Sequence, residues 1–301
     1  MSESFSSRAK IWFLAIRPKT LPAAAAPVIV GASLAFVEGG FRFDLALVCL
    51  LVALLLQIGS NLANDVFDFE KGADLGERYG PTRVTQAGMM TPGEVKYGMI
   101  VIFGLSAILG MYLILVGGWP ILILGVAAIL SAIAYTGGPF PFGYHGLGDL
   151  FVFIFFGLAA VAGTYYVQLL TISLPVWGMA IAMGLLTVAI LVVNNLRDIE
   201  SDRQVNKRTL AVRFGKQFAR MEYIICVIGA YIIPVALWGA EKLPLLSLLI
   251  FFTIPISLRL IQNIINDSDR ELNKTLAGTG QLELIYALCF SIGLITDSLI
   301  G

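Results

Sequence analysis

Charge is scarce in this 301-residue sequence: Asp, Glu, Lys and Arg make up 13% of it, against about a quarter in soluble domains. Its one histidine, His145, leaves no scope for a multi-histidine metal centre. Cys49, Cys226 and Cys289 stand singly inside apolar runs, with no CxxC or Cys/His cluster. That excludes a zinc site and a disulfide framework. The basic and acidic residues balance at 20 each, so there is no cationic surplus for nucleic-acid binding. The opening stretch "MSESFSSRAKIWFLAIRPKT" is polar and basic, without a compact apolar core leading to a cleavage site. No removable signal peptide is read there.

What is present is apolar length. Hydrophobic residues make up 58% of the chain and mean hydropathy is +0.86, more than a water-soluble fold can hide. A run of about twenty apolar residues crosses a bilayer as a helix, and backbone in lipid must satisfy its own hydrogen bonds. Nine candidate runs follow: 20–37, 43–63, 97–117, 119–136, 149–170, 175–196, 221–240, 244–263 and 281–300. The expected fold is all-α, one polytopic transmembrane domain over residues 1–301. With a cytoplasmic N-terminus, every Lys and Arg except Arg42 and Lys242 falls on the cytoplasmic side or at its edge, as the positive-inside rule requires. The outer loops are short. The long cytoplasmic loops 64–96 and 197–220, after spans two and six, have room for chemistry.

Both long loops open on similar residues. Asn61, Asn64, Asp65 and Asp68 follow span two; Asn194, Asn195, Asp198 and Asp202 follow span six. Residues three or four apart share a helix face, so each set forms a polar stripe. Their recurrence suggests a weak tandem duplication, with acidic corners at 61–74 and 194–202. Carboxylates crowded at the edge of a low-dielectric medium repel one another and take up protons unless cations sit between them. Mg²⁺ takes oxygen ligands, often one or two carboxylates plus substrate phosphates. The pattern therefore points to a phosphate-bearing substrate held through Asp65, Asp68, Asp198 and Asp202. Arg78 and Arg83 follow the first corner, and Lys207, Arg208 and Arg213 the second. Such groups neutralise charge on a leaving diphosphate. Glu70, Glu77, Lys216 and Arg220 read as solvated charges.

The loop "AYTGGPFPFGYHGLGD" lies on the same side. Tyr135 and Tyr144 offer aromatic faces that stabilise a cation, or else belong to an interfacial belt. Asp149 is a candidate for accepting a proton or orienting an acceptor; His145 is either another such candidate or a turn residue. Gly137, Gly138, Pro139 and Pro141 read as a tight turn.

The strings "RPKTLPAAAAPVIVG", "NLANDVFDFEKGAD", "RYGPTRVTQAG" and "NNLRDIESDRQVNKRTLAVRFG" together resemble the UbiA superfamily of intramembrane aromatic prenyltransferases. They are most similar to the branch that prenylates 1,4-dihydroxy-2-naphthoate in menaquinone synthesis. The resemblance runs from about Arg17 to Arg220. It implies a nine-helix bundle capped by the cytoplasmic loops between helices 2 and 3 and between 6 and 7. It also implies Mg²⁺ and a bacterial inner-membrane location. Residue by residue, Asp65 and Asp68 with Asn61 or Asn64 match the first Mg²⁺–diphosphate motif. Asp198 and Asp202, beside Asn195, match the second, and Lys207 and Arg208 match the basic positions that contact diphosphate. Two departures stand out. The position four after Asp68 is Gly72 rather than an acid, which arrives instead at Asp74. Asn206 stands where a glycine commonly precedes the Lys.

The reaction so implied joins a polyprenyl group from its diphosphate to the naphthoate ring, with loss of CO₂. Within the same superfamily, another aromatic acceptor or a phytyl donor is the alternative. A secondary transporter also combines repeats with intramembrane acids, but its sites lie near the midplane on broken spans. Here the acids stand at span ends beside basic residues. A phosphatidyltransferase would need a glycine-rich spacing that is absent.

Overall fold

The computed structural model describes residues 2–72, 80 and 82–300, and among these there is no strand. Thirteen α-helices follow one another: α1 Ser2–Ile16, α2 Leu21–Val37, α3 Phe43–Glu70, α4 Pro92–Gly117, α5 Trp119–Ala134, α6 Gly148–Val152, α7 Ala160–Leu169, α8 Leu174–Arg197, α9 Ile199–Gln204, α10 Leu210–Phe214, α11 Lys216–Gly239, α12 Ile254–Asn266 and α13 Leu272–Ile300. The protein is an integral, multi-pass membrane protein. Eight helical stretches among the described residues are long and apolar enough to cross a bilayer, and α5, at 16 residues, falls short of that length.

Local chemistry explains where the helices start and bend. Thr91 opens α4 with a capping box: its hydroxyl accepts from Glu94 N while the Glu94 carboxylate accepts from Thr91 N, and Pro92 fills the first turn. Span three therefore begins earlier than its apolar run, which starts near residue 97. Between α6 and α7, Phe153–Ala159 is π-helical. Leu245–Thr253 is a 3₁₀ segment leading into α12.

α8 is the central pillar, burying Met179, Met183, Leu186 and Val193. It packs against α2, α11, α13 and the π-helical segment. Close approach there depends on missing side chains. A Cβ on Gly157 would stand 2.5 Å from the Gly184 Cα and 2.7 Å from the Ala180 carbonyl.

Asp65, Asp68 and Asp202 are carried on helix rather than in loop. α3 stays helical through Glu70, so Asn61, Asp65 and Asp68 occupy its last turns. The second stripe is interrupted: α8 ends at Arg197, the chain turns at Asp198, and Asp202 rides on the separate α9. Gly72 and Asn206 both take left-handed backbone, at φ 70 and φ 57. This region favours Gly and tolerates Asn better than most residues, which accounts for both departures from the family pattern. Asp74, Glu77 and Arg78 lie outside the described residues.

Candidate active site

The C-terminal ends of α3 and α8 border one cavity, and each acid there has its own partners. Asp68 is buried, pairs with Arg83, and accepts a 2.7 Å hydrogen bond from the Tyr144 hydroxyl. Asp198 accepts from Nε and Nη2 of its neighbour Arg197 at 2.8 and 2.6 Å. Arg197 also donates to Asn194 and to Asn273 of α13, so one guanidinium ties two helices together at the corner. Asp65 is turned elsewhere. It accepts from the backbone N–H groups of Val84 and Thr85 at 3.1 and 3.0 Å and lies 3.7 Å from Arg17, fastening the following loop to α3.

Asp202 sits 3.2 Å from Lys207, and its Oδ2 is buried without a partner. Burial holds the Asp202 carboxyl above its usual range, against the pull of Lys207 and with the help of Asp198. Lys207 is buried as well, and burial alone would lower its pKa. The surrounding Asp202, Asp68 and Asp198 outweigh that and raise it. Three carboxylates around one ammonium make the ammonium secure and leave Asp202 poorly held.

Tyr144 links the two corners. Its ring lies 4.9 Å from the Lys71 ammonium and 5.8 Å from that of Lys207. Burial and the neighbouring Asp68 keep its hydroxyl protonated well beyond the ordinary tyrosine range. Lys71 in turn donates to the Thr136 carbonyl at 2.6 Å, and burial lowers its pKa. The loop carrying Tyr144 is thereby closed over the acids.

Asp68, Asp198 and Lys207 face a cavity of about 1090 Å³. Asn64, Arg83 and Tyr135 complete its polar end. The remainder runs between α3, α4, α5 and α7 and is walled by apolar and small side chains such as Val52, Ala107, Gly125, Ala128 and Gly163. One continuous space thus carries an ionic end and an oily body.

The UbiA prenyltransferase family model matches residues 24–288. The chain belongs to that family. It is 38% identical over 299 residues to "1,4-dihydroxy-2-naphthoate octaprenyltransferase" of Haemophilus influenzae, covering 96% of this chain and 97% of the relative. The Escherichia coli protein of the same name is 43% identical over 249 residues, covering 81% of this chain and 80% of that one. A solved UbiA homologue from Archaeoglobus fulgidus, bound to DMAPP and Mg²⁺, shares the fold with a TM-score of 0.64 at 15% identity, covering 95% and 99% of the two chains.

Within this UbiA fold the residues singled out from the sequence are not all placed alike. Asn61 lines the cavity, yet its amide donates to the Ile16 carbonyl and the Thr20 hydroxyl, both at 2.9 Å. Asn64 lines it while accepting from Thr136. Asn195 is buried. Arg208 and Arg213 are exposed, and Arg213 donates to the His145 and Arg208 carbonyls, joining two loops. Asp149 is buried with Oδ1 unpartnered, beside the Gly148 backbone on which the Tyr135 hydroxyl packs. His145 stacks on Phe140 at 3.8 Å. Sequence reasoning passed over Arg17, Lys19 and Arg197, all of which reach the cavity wall. The signal was present, because Arg17 and Lys19 lie in "RPKT" and Arg197 adjoins Asp198.

Proposed function

We propose that this prenyltransferase moves a polyprenyl group from polyprenyl diphosphate to 1,4-dihydroxy-2-naphthoate with loss of CO₂, giving demethylmenaquinol for menaquinone synthesis. The observation that carries the reading is the single cavity joining the Asp68/Asp198/Lys207 end to an apolar body. A polyprenyl diphosphate has this same division, a doubly ionised head on a lipid-like tail. The names of the relatives support the naphthoate as acceptor.

The residues present fit Mg²⁺. The donors on the cavity wall are hard oxygens, from Asn64 and Asp68 of the first corner and Asn194 and Asp198 of the second. Among the described residues, no three His, Cys, Asp or Glu side chains lie close enough to hold an ion by themselves. Mg²⁺ commonly takes one or two carboxylates and completes its shell with substrate phosphate. Asp202, with its Oδ2 buried and unpartnered, adds a further oxygen behind that wall. Asp68 and Asp198 would hold the metal from the two corners, with Asp65 and Asp202 behind them. When bound, Mg²⁺ supplies Lewis acidity toward the diphosphate.

The chain's own residues do the rest. Arg83 and Lys207 neutralise charge gathering on the leaving diphosphate. Arg78 belongs to the same proposed set, and Arg208 and Arg213 lie further out. The Tyr135 ring, on the cavity wall, faces the developing allylic cation. Asp149 belongs to the proposed set as acceptor of the naphthoate's proton, acting from behind Tyr135 rather than from the cavity wall. The apolar wall keeps water from the cation. In this reading α5 completes a nine-span bundle in the bacterial inner membrane, with the N-terminus and acidic corners cytoplasmic.

Purified protein in lipid, given a polyprenyl diphosphate, 1,4-dihydroxy-2-naphthoate and Mg²⁺, should yield a decarboxylated prenyl-naphthoquinol by mass spectrometry, and EDTA should abolish it. Diphosphate release without that product would overturn the acceptor, and an inert donor would overturn the reaction.

A further inference from the structure

The charges on the cavity wall do not balance. Arg17, Lys19, Arg83, Arg197 and Lys207 stand there against the carboxylates of Asp68 and Asp198. Four of the five cations have an acid of their own. Arg83 pairs with Asp68, Arg197 clasps Asp198, Lys207 lies 3.2 Å from Asp202, and Arg17 lies 3.7 Å from Asp65. Among the described residues, Lys19 is the wall cation with no carboxylate in ion-pair range.

Its backbone is nevertheless firmly set. Lys19 is the middle residue of the 3₁₀ turn Pro18–Thr20, which joins α1 to α2. On one side Arg17 takes a left-handed backbone, φ 54, and sends its side chain toward Asp65. On the other, the Thr20 hydroxyl accepts from Gln57 and Asn61 of α3 at 3.1 and 2.9 Å. The Lys19 carbonyl passes close to Gly280 of α13, where an added Cβ would lie 3.9 Å away. A left-handed conformation at a bulky residue is costly and persists only where its surroundings impose it. The turn is therefore held on both flanks, and Lys19 is left exposed where it lines the cavity.

If the donor's diphosphate is taken at the acidic corners, one anionic group of the reaction is still unaccounted for, the carboxylate of the aromatic acceptor. We propose that Lys19 receives that carboxylate at the cavity mouth and so selects carboxylated over uncarboxylated acceptors. The inference rests on the prenyl-transfer reading above. It has a consequence for turnover. The carboxylate leaves as CO₂, so the product has lost the group that Lys19 holds. The anchor binds substrate and ignores product, which spares the enzyme product inhibition at this contact.

The test compares wild type, Lys19→Met and Lys19→Arg with one polyprenyl diphosphate and two acceptors, 1,4-dihydroxy-2-naphthoate and naphthalene-1,4-diol. The same variants are titrated with the unreactive competitors 2-naphthoate and 2-naphthol, so that a ratio is obtained even if the diol turns over poorly. Lys19→Met should reduce the preference for the carboxylated member of each pair about tenfold or more, the size of one charge-assisted hydrogen bond. The change should appear in KM and Ki, and Lys19→Arg should restore much of it. An equal loss for both members of a pair would assign Lys19 a merely structural role and overturn the proposal, as would an unchanged preference. Wild-type turnover of the naphthoate reports separately on the reaction: its absence sinks both readings, whereas its presence with an unmoved ratio sinks only the Lys19 one.

Discussion

Replacing Lys207 by methionine tests the electrostatics of the acidic corners most sharply. The side chain is about as long and apolar, so what the change removes is chiefly an ammonium 3.2 Å from Asp202. At an effective dielectric near 20, that separation corresponds to about 5 kcal/mol of attraction. Removing one member of a buried pair typically costs about 3–5 kcal/mol, because the other charge is stranded. Lys207→Met should therefore lower the apparent Tm in detergent by several degrees. Adding Asp202→Asn should recover most of the loss, since no charge then remains to strand. The pH dependence has a definite sign. The Asp202 carboxyl is already held above its usual range, so the folded state takes up its proton more readily than the unfolded chain. The stability it contributes is present in acid and is lost as pH rises through the folded value. Without Lys207 that value climbs further, so acidification from neutral pH should narrow the Tm gap between variant and wild type. Turnover should fall about 10²–10³-fold, as when a charge-stabilising donor is removed, and should stay low in the double variant. A Tm deficit that Asp202→Asn does not relieve, or a gap that widens in acid, would refute the charge accounting. Recovered turnover in the double variant would refute the role assigned to Lys207 at the diphosphate.

Asp68→Ala or Asp198→Ala should each abolish Mg²⁺-dependent prenyl transfer while the protein still inserts and elutes as a folded species; full turnover in either would sink the metal assignment. Two glycines predict opposite stability effects in a thermal-shift assay. Gly157→Ala drives a methyl into the Gly184 and Ala180 backbone, costing about 1–3 kcal/mol. Gly104→Ala in α4 meets nothing within 4 Å and should be neutral or stabilising by up to about 1 kcal/mol.

The membrane fold was readable because long apolar runs have few other physical uses. What the runs concealed were the exceptions to regular helix. The 3₁₀ stretch Leu245–Thr253 and the π-helical Phe153–Ala159 are as oily as their neighbours, so hydropathy could not separate them. The run at 119–136 is short already in the sequence, and its helix α5 stops at 16 residues. At the site, spacing placed Asp65 and Asp68 on adjoining turns but could not say which would face the cavity. Asp68 does, and Asp65 instead takes two backbone N–H groups of a loop nearly twenty residues on. Such a contact is decided by the path of the loop, which no local periodicity records. The turn at Asp198 was hidden likewise, because a stripe drawn at helical spacing assumes that the helix continues. Lys19 stands in the "RPKT" string, but that it has no carboxylate in ion-pair range is a three-dimensional fact.

The π-helical turn between α6 and α7 acts as a phase shifter. Each residue of an α-helix turns the chain by about 100°, and a π-bulge accommodates an extra residue within an otherwise α-helical path. Everything beyond Ala159 is thereby rotated relative to Asp149. That rotation lets one continuous stretch of chain, Gly148–Leu169, carry Asp149 beside the tyrosine wall and still present Gly163 and Val167 to the apolar body. Straightening it by deleting one residue would keep every side chain but one, and would point the two halves of the stretch at different neighbours.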